Sequence, residues 1–428
     1  MQPATRNAAL AAAIQQAAFF GLLIFAPLAR GATERWAFCI SLWLVLLALT
    51  AMMIRRLWQG EPLLPRTVLD LPIGLLLLLA GVSWFFSMYR QATSWAFMRL
   101  LLYIAAFYLT YDLASSKAAI RRMLVLLLGM GVLISLLGFI KYAGGSIPAF
   151  WKYRLDGHRL NSTFVNPNHA AGYLEMVFLF GLGYLFFRSR AEKMLLGSCL
   201  ALIFIALLLS MSRGGWIATS ASLMFMGAVF YSRLGWQRWK ISLAITSFVL
   251  VVTLCFLGSN DLFRRIGSFS NQQEIGFNGR LGAAKATTQL IEEYPLWGTG
   301  LGTFPWSFTA VSPAGSNIRW REAHNDYVQI ASEMGLPVLI PLGWGLFLIF
   351  RTVFKRLKHS GGDRFQTAIT LGALGAIVAM LIHSLVDFNI QITSNGILFC
   401  VLVGLALSEK NSRHRSIGLE GRSAVFEY

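Results

Sequence analysis

The sequence predicts an all-α, polytopic integral membrane protein with about twelve transmembrane helices, and three observations carry that prediction. Of its 428 residues, 56% are hydrophobic and 13% are charged, with a mean hydropathy of +0.60, so lipid must solvate most of the folded surface. Apolar runs of about 20 residues, enough for one helical crossing, recur along nearly the whole chain. Lysine and arginine collect in alternate connections, the signature of a chain threaded back and forth through a bilayer. The same composition excludes a soluble two-domain protein.

The first apolar run, 8–29, is about 22 residues long, longer than a signal-peptide core, and "ARG" at 29–31 is a poor cleavage site; it is read as a retained first helix. Spans follow at 36–54, 68–86, 93–111 and 121–141. The fourth carries Arg99, the deepest charge in any run.

The long connection at 142–168 ends in "RLNSTFVNPNHAAGYLE". Asn166-Pro167-Asn168 is a turn and helix-start signal, which makes Asn168 the expected N-cap of a sixth span at 169–187. That span would carry His169 and Glu175 inward, and a carboxylate within a span normally faces protein or water.

Spans at 193–211 and 214–231 are joined tightly through "SMSRGGWIA". Arg213 sits at that edge, beside glycines that let backbone approach a ligand. A snorkelling interfacial arginine is the alternative reading.

After a ninth span at 240–258 the chain leaves the membrane again from Ser259 to Asn325, or to 335 with the short helix that follows. A helix is expected from Gly279 to Glu293, ended by Tyr294-Pro295 and a glycine-rich aromatic turn. Arg280 falls in its first turn, where a cation opposes the helix dipole. It is read as a solvated loop arginine or as one that shares an anion with the free N–H groups of the helix start.

Spans at 336–354, 366–386 and 390–408 complete the single membrane domain over 1–428, and 409–428 is a tail. Between the last two spans, "HSLVDFNIQITSNG" places His383 and Asp387 at i, i+4 on one helix face, a supporting polar network rather than a metal site. Cys39, Cys199, Cys255 and Cys400 lie within spans without CxxC spacing and read as small apolar core residues.

A net charge of +18 could suggest nucleic acid, but its placement encodes topology and contact with anionic lipid. With the N-terminus in the cytoplasm, 22 of the 37 lysines and arginines fall on that side, against Arg30, Arg35, Arg90 and Arg213 in the short opposite connections. Both termini are therefore expected inside, and both long connections outside.

The second long connection ends in "REAHNDYVQIASEMGLP", 321–337. Asp326 and Gln329 have capping-box spacing, so a short helix is expected to begin at Asn325 or Asp326. Tyr327, Ile330, Ala331 and Met334 form its apolar stripe, Gln329 and Glu333 point away, and Gly335 and Pro337 interrupt it before the tenth span. Capping leaves His324, Arg321 and Arg319 without a role.

"HNDYVQIASEMGLP" resembles the signature of the O-antigen ligase and O-antigen polymerase family. "SRGGWIA", "STFVNPNHAAGYLE" and "GRLGAAKATTQLIEEYPLWGTGLGTF" are similar to its other recurring blocks, together covering roughly 155–400. Pro337 departs from the isoleucine or valine usual at that place. The resemblance implies glycan transfer from an undecaprenyl diphosphate carrier to an acceptor hydroxyl at the outer face of the bacterial inner membrane, without metal or other cofactor. The acceptor would be lipid A core sugar in a ligase, or a second carrier-linked glycan in a polymerase.

Carried over by position, Arg213 and Arg280 become diphosphate binders and His324 the catalytic residue. Arg321 joins the arginines. Asn168, His169, Asn325, Asp326, Tyr327 and Asp387 are supporting residues.

The chemistry suits these residue types. A departing diphosphate needs positioned positive charge, and arginine's planar fork supplies it. An attacking hydroxyl must lose a proton, which a neutral imidazole accepts near pH 7. Tyr327, Trp297, Phe304 and Trp306 are available as sugar platforms or as an interfacial belt. A solute or anion transporter is the competing class. Transporters carry internal repeats and polar residues at mid-membrane, whereas the motifs here crowd one edge.

Overall fold

The computed structural model describes residues 3–145, 148–151, 159–185, 189–234, 277–312, 320–359 and 363–408. The predicted span at 240–258, the start of the second long connection, Arg319 and the tail lie outside them. Every regular element among the described residues is helical.

The long helices are α1 (Pro3–Leu28), α2 (Arg35–Trp58), α3 (Asp70–Phe85), α4 (Arg90–Leu113), α5 (Lys117–Tyr142), α6 (Pro167–Leu185), α7 (Arg190–Leu209) and α8 (Arg213–Leu234). The second long connection contributes α9 (Phe277–Glu293), the single turn α10 (Phe304–Ser307) and α11 (Asp326–Met334). Then come α12 (Leu339–His359), α13 (Arg364–His383) and α14 (Thr393–Leu407). Each predicted span within the described residues thus contains one helix. Among the described residues, eight helices are long and apolar enough to cross a membrane by length and composition, while α3 and α14 are shorter apolar helices.

Burial sorts the helices. From Pro167 to Tyr184 every residue of α6 is buried, so protein surrounds it on all sides. It packs on α13, α7, α5 and α8. A Cβ on Gly183 would lie 2.4 Å from the Cα of Gly372, so the α6–α13 crossing requires glycine on both sides. Towards the rim, Trp43, Leu47, Leu71, Leu78, Ile340 and Phe347 are exposed, as lipid contact demands.

The two ends of the bundle differ. At one end, Asp112 near the close of α4 accepts hydrogen bonds from Gln15 (2.7 Å), Arg55 (2.6 and 2.7 Å) and Arg56 (2.7 Å), and so ties α1, α2 and α4 together. Asp112 is 4% exposed, and removing it leaves Arg55 only Gln15 and Gln59 and leaves Arg56 only Glu61 and Pro62 O among the described residues. Asp112→Ala is expected to cost about 3 kcal/mol, read from reversible unfolding in mixed micelles. An unchanged unfolding midpoint would show the clamp to be dispensable. At the other end, the starts of α6, α8, α11 and α14 meet the end of α13, and the site lies there.

Candidate functional site

The start of α6 is built differently from the sequence expectation. Asn166, not Asn168, is the cap: its Oδ1 accepts the Asn168 N–H at 2.8 Å, with Pro167 as the first helical residue, where its missing N–H costs nothing. Asn168 is thereby freed to bridge. Its Oδ1 accepts from Arg159 Nη2 (2.6 Å) and its Nδ2 donates to Asp387 Oδ2 (2.7 Å). His169 is buried, edge-on to Phe388 at 4.8 Å, and its carbonyl accepts from Asn395.

Nearly two turns further along α6, Glu175 meets His383, the last residue of α13, with Nδ1 at 3.0 and 3.1 Å from its two oxygens and neither side chain exposed. The backbone continues its turn from His383 to Asp387, yet the two side chains serve different partners rather than one another. The start of α8 seats against this pair. A Cβ on Gly214 would stand 2.9 Å from His383 Cδ2, and one on Gly215 would stand 3.2 Å from Glu175 Oε2. The glycines of "SRGG" therefore admit α8 to the buried Glu175–His383 pair, and Arg213 is held exposed at its first turn. No described residue partners the Arg213 side chain.

His324 precedes α11 with φ at +53°, a left-handed backbone that a non-glycine residue adopts at a cost. Its Nδ1 stands 3.5 Å from Asp387 Oδ1, with 12% of the histidine and 2% of the aspartate side chain exposed. That separation is just beyond a hydrogen bond; catalytic hydrogen bonds are often long without substrate. Trp320 and Phe388 flank the imidazole edge-on at 5.9 and 4.9 Å. Met211, two residues before Arg213, is also left-handed, at +50°.

Asn325 caps α11, accepting from the N–H groups of Tyr327 (3.0 Å) and Val328 (3.1 Å) and donating to Leu385 O. The expected capping box between Asp326 and Gln329 is absent. Gln329 is drawn away by stronger partners: it donates to Glu322 (2.6 Å) and Glu333 (3.2 Å) and accepts the Ala323 N–H. Rather than pointing into solvent, Gln329 and Glu333 are buried. Glu333 accepts the N–H groups of Gly302 (2.7 Å) and Phe304 (3.2 Å) and so fastens the glycine-rich turn after α9 to α11. Asp326 accepts the Ile390 N–H, and Tyr327 donates to Leu381 O, which docks α11 on α13.

Burial pushes the Asp326 carboxyl from 3.8 up to about 7, with Asp387 adding repulsion against the Ile390 N–H and His383. Burial likewise raises Glu322 from 4.5 to about 8, with Glu333 reinforcing it and Gln329 and Arg99 opposing. The folded protein keeps protons here that the unfolded chain has released. Stability is therefore full below the ordinary carboxylate range and is lost as pH climbs towards 7–8. The unfolding midpoint is expected to fall between pH 5 and 8, and Asp326→Asn with Glu322→Gln to flatten that slope. An unchanged slope in the double variant would contradict this.

The structure thus gathers His324, Asn325, Asp326, Tyr327, Asn168, His169 and Asp387 at one end of the bundle, with Arg213 at the adjoining helix start. Arg321 is exposed beside them. Arg280 is the fourth residue of α9, and its side chain lies outside the described residues. Of the expected sugar platforms, Phe304 is fully buried and stacked on Phe308, whereas Trp297 and Trp306 are exposed. Arg159 and Glu322 carry no sequence signal; the intramembrane carboxylate of Glu175 signals a partner, and His383, expected in a polar network with Asp387, is that partner.

Residues 198–343 match the family model described as O-antigen ligase, which supports the resemblance to the O-antigen ligase and polymerase family. The matched segment contains Arg213, Arg280, Arg321 and His324, while Asn168, His169 and Asp387 lie on either side of it. No curated protein matches the chain.

Proposed function

We propose that this membrane protein transfers a glycan from an undecaprenyl-diphosphate-linked donor to an acceptor sugar hydroxyl in the assembly of O-antigen or a related surface polysaccharide. The reaction would take place at the periplasmic face of the bacterial inner membrane. The observation that carries the reading is the His324–Asp387 approach at 3.5 Å, with the helix start that bears Arg213 packed on His383 and Val386 of the same turn as Asp387.

In this reading Asp387 accepts a hydrogen bond from the His324 Nδ1–H once donor is bound, which leaves Nε2 as the base for the acceptor hydroxyl. The hydroxyl oxygen attacks the anomeric carbon as the carbon–diphosphate bond breaks, inverting that centre. Arg213, Arg280 and Arg321 hold the departing diphosphate. The carrier enters sideways from the lipid and the acceptor from water, so a cavity open to both is part of the proposal.

Because arginine supplies the charge, transfer is expected to survive EDTA; loss of activity restored by Mg²⁺ would contradict the metal-independent route. A deletion strain tests the assignment in the cell. Uncapped lipopolysaccharide with polymer left on the carrier indicates a ligase, and lipopolysaccharide capped by a single repeat indicates a polymerase. An unaltered surface-glycan profile would contradict both. Solute flux in proteoliposomes without glycan donor would favour a transporter.

A further inference from the structure

Arg159 lies at the end of the first long connection, outside every residue assigned above to base or anion. Its guanidinium does two things at once. Nε donates to Ser210 O at 2.9 Å and Nη2 approaches Met211 O at 3.4 Å, gripping the left-handed turn that aims α8 and Arg213. Nη2 also donates to Asn168 Oδ1 at 2.6 Å. This second bond decides which way the Asn168 amide faces. With its oxygen committed to a cation, Asn168 can offer only its NH₂ to Asp387, and it does so at 2.7 Å. Without the arginine, the Asn168 side chain loses its second anchor and is free to swing away, and Asp387 then loses the donor that holds it where it meets His324.

We infer that Arg159 is a positioning residue which sets the diphosphate-binding turn directly and the His324–Asp387 pair through Asn168. The inference rests on the proposed function for its kinetic meaning. Arg159 need not touch substrate. Its hydrogen-bond geometry matters more than its charge, because one lysine ammonium does not reproduce the planar fork that reaches two carbonyls and an amide.

The two arms separate experimentally in purified protein in nanodiscs, with an undecaprenyl-diphosphate-linked oligosaccharide as donor. Asn168→Ala cuts only the arm to Asp387 and is expected to lower kcat about 10- to 100-fold with little change in donor KM. Arg159→Gln cuts both and is expected to lower kcat similarly and to raise KM, and Arg159→Lys is expected to fail to restore kcat. In an Asp387→Asn background, Asn168→Ala is expected to lower kcat less than about 3-fold further, because the relay is already broken, and Arg159→Gln is expected to keep its rise in donor KM through the turn. Losses that multiply, or an Arg159→Gln enzyme with wild-type kcat and only a lower melting temperature, would overturn the inference. If Arg159→Gln does not fold, the Asn168→Ala and Asp387→Asn pair carries the same cycle. A wild type that does not turn over this donor contradicts the proposed function rather than the linkage. The cycle read as melting temperature then decides: coupled shifts support the linkage, and additive shifts overturn it.

Discussion

Alanine or glycine at His324 is expected to lower glycan transfer by about 10²- to 10⁴-fold, the range that proton transfer by a positioned base supplies. Carrier-linked donor should accumulate while protein level holds. The two substitutions differ usefully. With φ at +53°, alanine keeps the strained backbone, whereas glycine removes the imidazole and the strain together. Equal loss in both variants, with an unfolding midpoint for glycine at or above the wild type, would separate chemistry from folding. Trp320 keeps its edge contact with Phe308 and Phe388 keeps its contact with His169, so neither variant should unseat α11, which Asn325 and Tyr327 hold.

Arg213→Ala is expected to be the next most damaging change, lowering kcat about 10²- to 10³-fold, as when a pre-positioned charge or donor aimed at a developing anion is lost. Donor KM should rise as well. The side chain sits exposed on a helix start seated against buried Glu175 and His383, so its removal costs little stability. Arg213→Lys is expected to recover little, since an ammonium cannot make the paired hydrogen bonds of a guanidinium to a diphosphate. A fully active lysine or alanine variant, as measured by initial rates at saturating donor, would remove Arg213 from the site.

The membrane helices were legible because hydropathy is a local property. The predicted span 36–54 lies within α2 at Arg35–Trp58, and 366–386 overlaps α13 at Arg364–His383. Short-range cap signals were legible to within a residue or two. The sequence "NPN" contains the helix start, but the choice between Asn166 and Asn168 depended on Arg159 and Asp387 competing for the second amide. Similarly, the spacing of Asp326 and Gln329 suits a capping box, and what overrode it was the pull of Glu322 and Glu333 on the glutamine.

The rest was not legible because its contacts are distant in the chain. Glu175 and His383 are 208 residues apart, and Asn168 and Asp387 are 219 apart. No periodicity within either segment identifies its partner. The intramembrane position of Glu175 signalled only that some partner was needed. The outlying φ angles at Met211 and His324 have no sequence signature, yet both stand beside residues assigned to the chemistry.

The central claim is that His324, supported by Asp387, activates the acceptor on a carrier-linked donor. The direct test reconstitutes the purified protein in proteoliposomes with an undecaprenyl-diphosphate-linked oligosaccharide and its acceptor, in EDTA and without nucleotide sugar. Wild type is predicted to release undecaprenyl diphosphate in step with glycosylated acceptor, and His324→Gly to do neither above about 1% of that rate. Wild-type turnover by His324→Gly would contradict the account.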